Sequence, residues 1–318
     1  MKRIYERGEL VGKGGMAEVY EGTERSIADG AVGFERKVAL KYMKDVDGRM
    51  LRSLQDNFRQ EAKMCALLEH KNIVRLYGIG QDEKGVFLVF PMIKGLLEGR
   101  GPDLRTIIED RGALPPELAA YVAYEILDGL AYAHSVPMDD GTIGAVHRDV
   151  SPDNVFVTEH GDVKVGDFGI ARIQHRHTRT QQIIGKLAYM SPERLLLKGS
   201  DGRADVFAFG AVFHEMLTGQ RVFGRRGGVD LTDEDTVAQV VSETVEPPSR
   251  RVAMPSELSD VCMALLEKRV EFRPTAEEAM VAMERAGLVL PRGRARLRDW
   301  VMGSDITAAT LLDPSITR

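Results

Sequence analysis

The chain has 318 residues, with 43 Lys and Arg against 48 Asp and Glu for a formal net charge of −5; 43% of the residues are hydrophobic and 29% charged. That length suits roughly two domains or lobes, and the balance is that of a soluble globular chain, which excludes a disordered or fibrous protein. Net negative charge argues against a dedicated nucleic-acid binder, because phosphate contacts need a concentrated basic face.

Residues 8 to 43 read as strand, Gly-rich turn, strand, loop and strand, with the loop placed around Asp29, Gly30 and Gly33. From Met50 to Glu69, Leu54, Phe58, Cys65 and Leu68 recur at helical spacing around Ala62, so the spacing predicts a helix. NIVRLYGIG and GVFLVFP supply two more short strands and complete a small unit that ends near Pro91. Helices are predicted over DLRTIIEDRG and over PPELAAYVAYEILDGLAYAHS, whose prolines sit just inside the start. NVFVTE and DVKVGD read as short strands, and further helices are expected near 204–217, 233–243, 256–266 and 276–284. Beyond Leu290, Arg292, Arg294, Arg296 and Arg298 alternate, a pattern that suits a docking strand or a solvated tail. The expected division is residues 1–91, residues 92–287 and a C-terminal tail, 288–318.

The two cysteines, Cys65 and Cys262, fall in apolar stretches far apart in sequence, which reads as buried thiols in a reducing compartment rather than a metal pair. The N-terminus has no long apolar run behind its basic residues, and no run of about 18 apolar residues occurs elsewhere. Neither a secretory signal nor a membrane span is expected, and the expected location is cytoplasmic.

Gly12, Lys13, Gly14 and Gly15 lie between two strands, where small residues let backbone N–H groups approach phosphate oxygens. The same run also suits an ordinary hairpin, and no Lys-Ser/Thr pair follows it, which disfavours a P-loop. Lys41 on the next strand and Glu61 on the helix would pair if both pointed inward; surface positions are the default for each. Later, His147-Arg148-Asp149-Val150-Ser151-Pro152-Asp153-Asn154 is followed by Asp167-Phe168-Gly169. A carboxylate and a carboxamide five residues apart in a tight loop suit an acid/base group beside a metal oxygen ligand, and a second carboxylate follows on the next hairpin.

Together with GKLAYMSPE, DVFAFG and EFRPT, these residues resemble a eukaryotic-type (Hanks-type) protein kinase, and GKGGMAEVY is similar to the bacterial Ser/Thr kinases. The resemblance runs from residue 8 to about 287. It implies an α+β, two-lobed fold: an N-lobe of antiparallel sheet with one crossing helix, and a larger, mainly helical C-lobe. The activity implied is transfer of the γ-phosphoryl group of ATP, with Mg2+, to Ser/Thr hydroxyls of proteins, the chain itself included.

On that resemblance Asp149 accepts or orients the substrate hydroxyl, Asn154 and Asp167 hold Mg2+, and Lys41, paired to Glu61, contacts the α and β phosphates. Val11, Gly12, Gly14 and Gly15 belong to the loop over the phosphates, and adenine lies between Val19 and Ala39 above and Phe156 below. The hinge offers the Pro91 carbonyl and the Ile93 N–H, so a proline without N–H is tolerated there. Phe90 takes the gatekeeper position, His147 and Phe168 stack with Cys65 and Leu76 as a hydrophobic spine, and Glu193 pairs with Arg273. Arg148 beside Asp149 points to control by loop phosphorylation, with Thr178 and Thr180 as candidate sites.

Two positions depart from the family pattern. Where the Ser/Thr kinases usually carry a lysine there is Ser151, and where they usually carry a threonine there is Lys186. This exchange predicts that Lys186 reaches back towards Asp149 and the transferred phosphate. Ala17 replaces the third glycine of the loop, and the stretches 26–35 and 136–144 are longer than usual, the former either a docking surface or a plain loop. Ser151 keeps open the alternative of a pseudokinase, a nucleotide-binding signalling scaffold, whereas MSPE and DVFAFG disfavour transfer to small molecules. Expected partners are protein substrates and, through self-association, a second copy for autophosphorylation in trans.

Overall fold

The computed structural model describes residues 2–13, 17–28, 31–43, 62, 65–97, 101–137, 144–168 and 184–303. Its N-terminal part is an antiparallel sheet of order β1-β2-β3-β5-β4, built from β1 (Lys2–Lys13), β2 (Ala17–Ala28), β3 (Ala31–Met43), β4 (Gly78–Asp82) and β5 (Gly85–Pro91). Side chains alternate across a strand, so Val38, Leu40 and Tyr42 of β3 bury one face while Ala39 and Lys41 take the other. Tyr42 packs against Phe87 at 4.9 Å and Tyr5 meets the same ring edge-on at 5.7 Å, closing a small core on the first face. Lys41 is thereby directed away from that core, opposite Val19 of β2 and Leu88 of β5.

The expected loop at 26–35 is instead a continuation of the hairpin: Ser26 pairs with Phe34, Ile27 with Val32 and Ala28 with Ala31. Cross-strand charge sustains it. Arg25 bonds Glu35 and Glu6, both at 2.7 Å, and Arg36 bonds the buried Glu24 at 2.6 Å while its guanidinium covers the Tyr77 ring at 3.8 Å. β1 also begins earlier than the sequence pattern suggests, at Lys2 rather than near Gly8. The strand expected over NIVRLYGIG starts only at Gly78, because Ile73 forms an isolated parallel bridge with Val165 instead. Of the helix predicted over 50–69, residues 62 and 65–67 are described and helical, whereas Leu68 and Glu69 are described and lie beyond its end.

The C-terminal part is mainly helical. Asp103 caps α1 (Leu104–Arg111) by accepting the Thr106 N–H at 2.8 Å, and Pro116 opens α2 (Pro116–Ser135). A short hairpin of β6 (Val155–Val157) and β7 (Val163–Val165) follows. Then come α3 (Ile184–Leu187), α4 (Pro192–Leu195), α5 (Arg203–Thr218), α6 (Asp233–Ser242), α7 (Ser256–Leu265) and α8 (Ala276–Arg285). Every residue of α5 from Ala204 to Leu217 is buried, which makes it the central helix against which α2 and α7 pack.

The alternating arginines near the C-terminus form neither a strand nor a solvated tail. Residues Gly293–Val301 are a helix, α9, which packs on α2 with Leu297 and Val301 fully buried. Two glycines permit the approach. A Cβ on Gly293 would lie 2.3 Å from the Tyr121 ring, and one on Gly161, at φ 83°, would lie 2.2 Å from the Arg294 carbonyl oxygen. Arg294 then bonds the His160 carbonyl at 3.0 Å and Asp162 at 3.1 Å, fastening α9 to the β6–β7 turn. No helix among the described residues is long and apolar enough to cross a membrane.

Candidate active site

The loop from His147 to Asn154 is held from below by one buried carboxylate. Asp205, in the first turn of α5, accepts the N–H of His147 and of Arg148, each at 2.7 Å, and bonds His134 Nε2 at 2.9 Å. Burial pushes its carboxyl up, but His134 and these N–H donors outweigh burial and hold it below the usual carboxylate range. With those donors fixed, Arg148 adopts φ 69°, a left-handed conformation uncommon for a residue with a Cβ.

His147 is structural. Its Nδ1 accepts the Asp149 N–H at 3.1 Å, which leaves the ring proton on Nε2 to be donated to the Gly166 carbonyl at 2.7 Å. The ring lies 4.4 Å from that of Phe168, whose carbonyl accepts from the Cys65 thiol at 3.2 Å. Leu76 is buried in the same core.

Asn154 sits at the end of a 3-10 turn over Pro152–Asn154, and its Nδ2 donates to the Asp149 carbonyl at 2.7 Å and to Asp149 Oδ2 at 3.1 Å. Both amide protons are thereby occupied, so the Asn154 Oδ1 is the oxygen left for a ligand. Gly166 N donates to the Asn154 carbonyl at 2.9 Å, which places the two metal-type residues, Asn154 and Asp167, on paired backbone segments. Lys41 Nζ lies 2.6 Å from Asp167 Oδ2, and Asp167 takes φ 61°. Burial pushes the Asp167 carboxyl up, yet the Lys41 ammonium, with Lys186 adding to it, holds it below the usual range. From the other side Lys186 of α3 hydrogen-bonds Asp149 Oδ2. Ser151 is buried and its Oγ has no partner among the described residues.

The structure thus brings Asp149, Asn154 and Lys186 together and sets Lys41 against Asp167. Val11 and Gly12 end β1, Gly12 faces Val19 of β2, Ala39 faces Phe90, and Pro91 closes β5 opposite Val38. Ile93 lies two residues beyond it, and Phe156 lies half-buried on β6. Glu61, Gly14, Gly15, Thr178 and Thr180 lie outside the described residues.

Glu193 meets Arg273 in a two-pronged ion pair at 2.8 and 3.1 Å, and Arg273 also donates to the carbonyls of Arg203 and Glu267, both at 2.7 Å. Sequence reasoning missed two neighbouring groups. Arg194 donates to the Arg148 carbonyl, and burial pushes its guanidinium down against the pull of Asp205 and Asp149. Arg105 of α1 joins Tyr189 and Glu215, so α1, the MSPE segment and α5 share one charged cluster. No local pattern marks either, since their partners are distant in sequence.

Residues 5–283 match the protein kinase domain family. The chain belongs to that family. Tyrosine-protein kinase MasK of Myxococcus xanthus is 35% identical to this kinase domain over 282 residues, 86% of this chain and 41% of the relative. A probable serine/threonine-protein kinase of Clostridium perfringens is 31% identical over 88% of this chain and 38% of its own length. Serine/threonine-protein kinase PknL of Mycobacterium tuberculosis is 36% identical over 67% of this chain and 49% of its own length. The kinase domain therefore spans less than half the length of each of these relatives.

Proposed function

We propose that this kinase domain transfers the γ-phosphoryl group of ATP to Ser or Thr hydroxyls of protein substrates, with a second copy of itself among them. The observation that carries the reading is the pair of opposed contacts, Lys41 with Asp167 and Asn154 with Asp149, which sets a cation, two metal-type oxygens and a base around one cleft. A carboxylate and a carboxamide oxygen are hard donors that suit Mg2+, an ion that keeps water and substrate phosphate for its remaining positions. When bound there, Mg2+ neutralises charge on the phosphates.

In this reading Asn154 Oδ1 and Asp167 hold the ion, Lys41, with Glu61 behind it, meets the α and β phosphates, and the backbone of Val11, Gly12, Gly14 and Gly15 covers them. Val19, Ala39 and Phe156 enclose adenine, the Pro91 carbonyl accepts from its amino group, and the Ile93 N–H donates to a ring nitrogen. Asp149 takes the hydroxyl proton as oxygen attacks phosphorus. Hydroxyl choice follows the names of the Clostridium and Mycobacterium relatives, while MasK is named a tyrosine kinase. The test is labelled-phosphate transfer from ATP with Mg2+ to a generic basic protein, followed by residue-level mapping. Label that requires Asp149 and falls on Ser or Thr is expected; ATP binding with no transfer would leave only a scaffold, and label confined to Tyr would reassign the acceptor.

A further inference from the structure

We propose that Lys186 is a catalytic cation, one that contacts the transferred phosphoryl group from the α3 side of the cleft and supplies the charge that the catalytic loop lacks at Ser151. The inference rests on the kinase reading above and names a residue that acts in that reaction.

Several observations converge. Lys186 Nζ bonds Asp149 Oδ2, the same oxygen that Asn154 Nδ2 contacts, so Oδ1 is the Asp149 oxygen that remains for a substrate hydroxyl. The Lys186 side chain is 41% exposed while Asp149 is 13% exposed, which puts the ammonium at the mouth of the site rather than in its floor. An ammonium has three N–H donors and this one meets a single acceptor among the described residues, so it can hold Asp149 and a phosphoryl oxygen together. The other lysine of the cleft, Lys41, is engaged with Asp167. Ser151, inside the loop, is buried, uncharged and without a partner for its Oγ among the described residues.

The chemistry gives that position its consequence. The substrate oxygen forms a bond to the γ phosphorus, the bond from phosphorus to the bridging oxygen breaks with its electron pair going to ADP, and the proton passes to Asp149 Oδ1. Charge is spread over the equatorial oxygens as this happens, and a fixed cation beside them lowers the barrier. Lys186 stays protonated throughout.

The test uses the full chain with ATP, Mg2+ and a basic protein acceptor, comparing wild type with Lys186→Met, Lys186→Arg and the double variant Ser151→Lys/Lys186→Thr. Rates, ATP affinity and melting temperature are followed together. Lys186→Met is expected to lower kcat about 10²–10³-fold with ATP affinity and melting temperature kept, Lys186→Arg to retain most of the rate, and the double variant to recover most of it. The proposal is overturned if Lys186→Met keeps a wild-type kcat, if its deficit vanishes on raising the pH, or if the double variant folds, binds ATP and stays as slow as Lys186→Met. A wild type that binds ATP and transfers nothing is a different failure, that of the kinase reading itself.

Discussion

Arg273 donates to both carboxylate oxygens of Glu193, at 2.8 and 3.1 Å, with its own side chain fully buried. Such a pair fixes position more than it adds net stability, but breaking it strands a charge in the interior. Arg273→Met is therefore expected to lower stability by about 3–5 kcal/mol, read as a fall in the urea midpoint. Replacing both partners with apolar residues of similar volume should recover much of that loss; a double variant as unstable as the single one would show that the pair itself stabilises.

The same carboxyl sets a pH dependence. Burial pushes Glu193 up, yet Arg273 more than offsets this and its folded value lies below the ordinary one. Its contribution is thus complete above the unfolded value of about 4.3 and is lost as pH falls through the folded value. Asp167 and Asp205 are shifted in the same direction and add to the acid loss. Urea midpoints between pH 7 and 3 should fall less steeply for Glu193→Gln than for wild type; parallel curves would refute the assignment.

Lys41→Met removes the ammonium 2.6 Å from Asp167 and lets burial push that carboxyl upward. Phosphoryl transfer is expected to fall by roughly 10²-fold or more, on the scale of losing one positioned charge. Initial rates at saturating ATP, with circular dichroism to verify folding, decide it.

Much of the site was legible because its chemistry is local in sequence. Asp149 and Asn154 occupy one turn, Asp167 follows on the next hairpin, and the exchange of Lys and a small hydroxyl residue between 151 and 186 was visible before any coordinates. The start of α2 was marked by its prolines, whereas the Asp103 and Thr275 caps of α1 and α8 were not read from the sequence. What was hidden depends on distant partners. The hairpin at 26–35 looked like a loop because Asp29, Gly30 and Gly33 break the pattern, whereas Arg25, Glu35 and Glu6 hold the strands together across the sheet. In α9 the alternating arginines masked the buried i, i+4 pair Leu297 and Val301, and the helix backbone is received at Arg294 by Gly161 and at Gly293 by Tyr121, both remote in sequence.

Asp205→Asn should loosen the loop it supports. The amide keeps one acceptor and turns a donor towards an N–H or towards His134, leaving a buried group unsatisfied at a cost of about 1–3 kcal/mol. Amide hydrogen exchange at His147 and Arg148 is expected to accelerate along with a fall in transfer rate. Unchanged protection at both amides would show that the loop stands without Asp205.

Docking of α9 is testable away from the cleft. Leu297→Ala should cost about 2–5 kcal/mol as a fully buried truncation, and Gly161→Ala should also destabilise by driving a methyl into the Arg294 carbonyl. Thermal unfolding reads both. The transfer rate per folded molecule should stay at the wild-type level, because neither residue reaches the cleft.

The bond from the Cys65 thiol to the Phe168 carbonyl gives the domain a built-in reporter. Burial pushes the Cys262 thiol up, which disfavours its alkylation at slightly alkaline pH. If the Phe168 carbonyl leaves Cys65, the thiol loses that bond, and the rate at which a thiol reagent enters becomes a clock for the excursion. Nucleotide that holds the two lobes together would slow the clock, and no label or engineered probe would be needed to watch it.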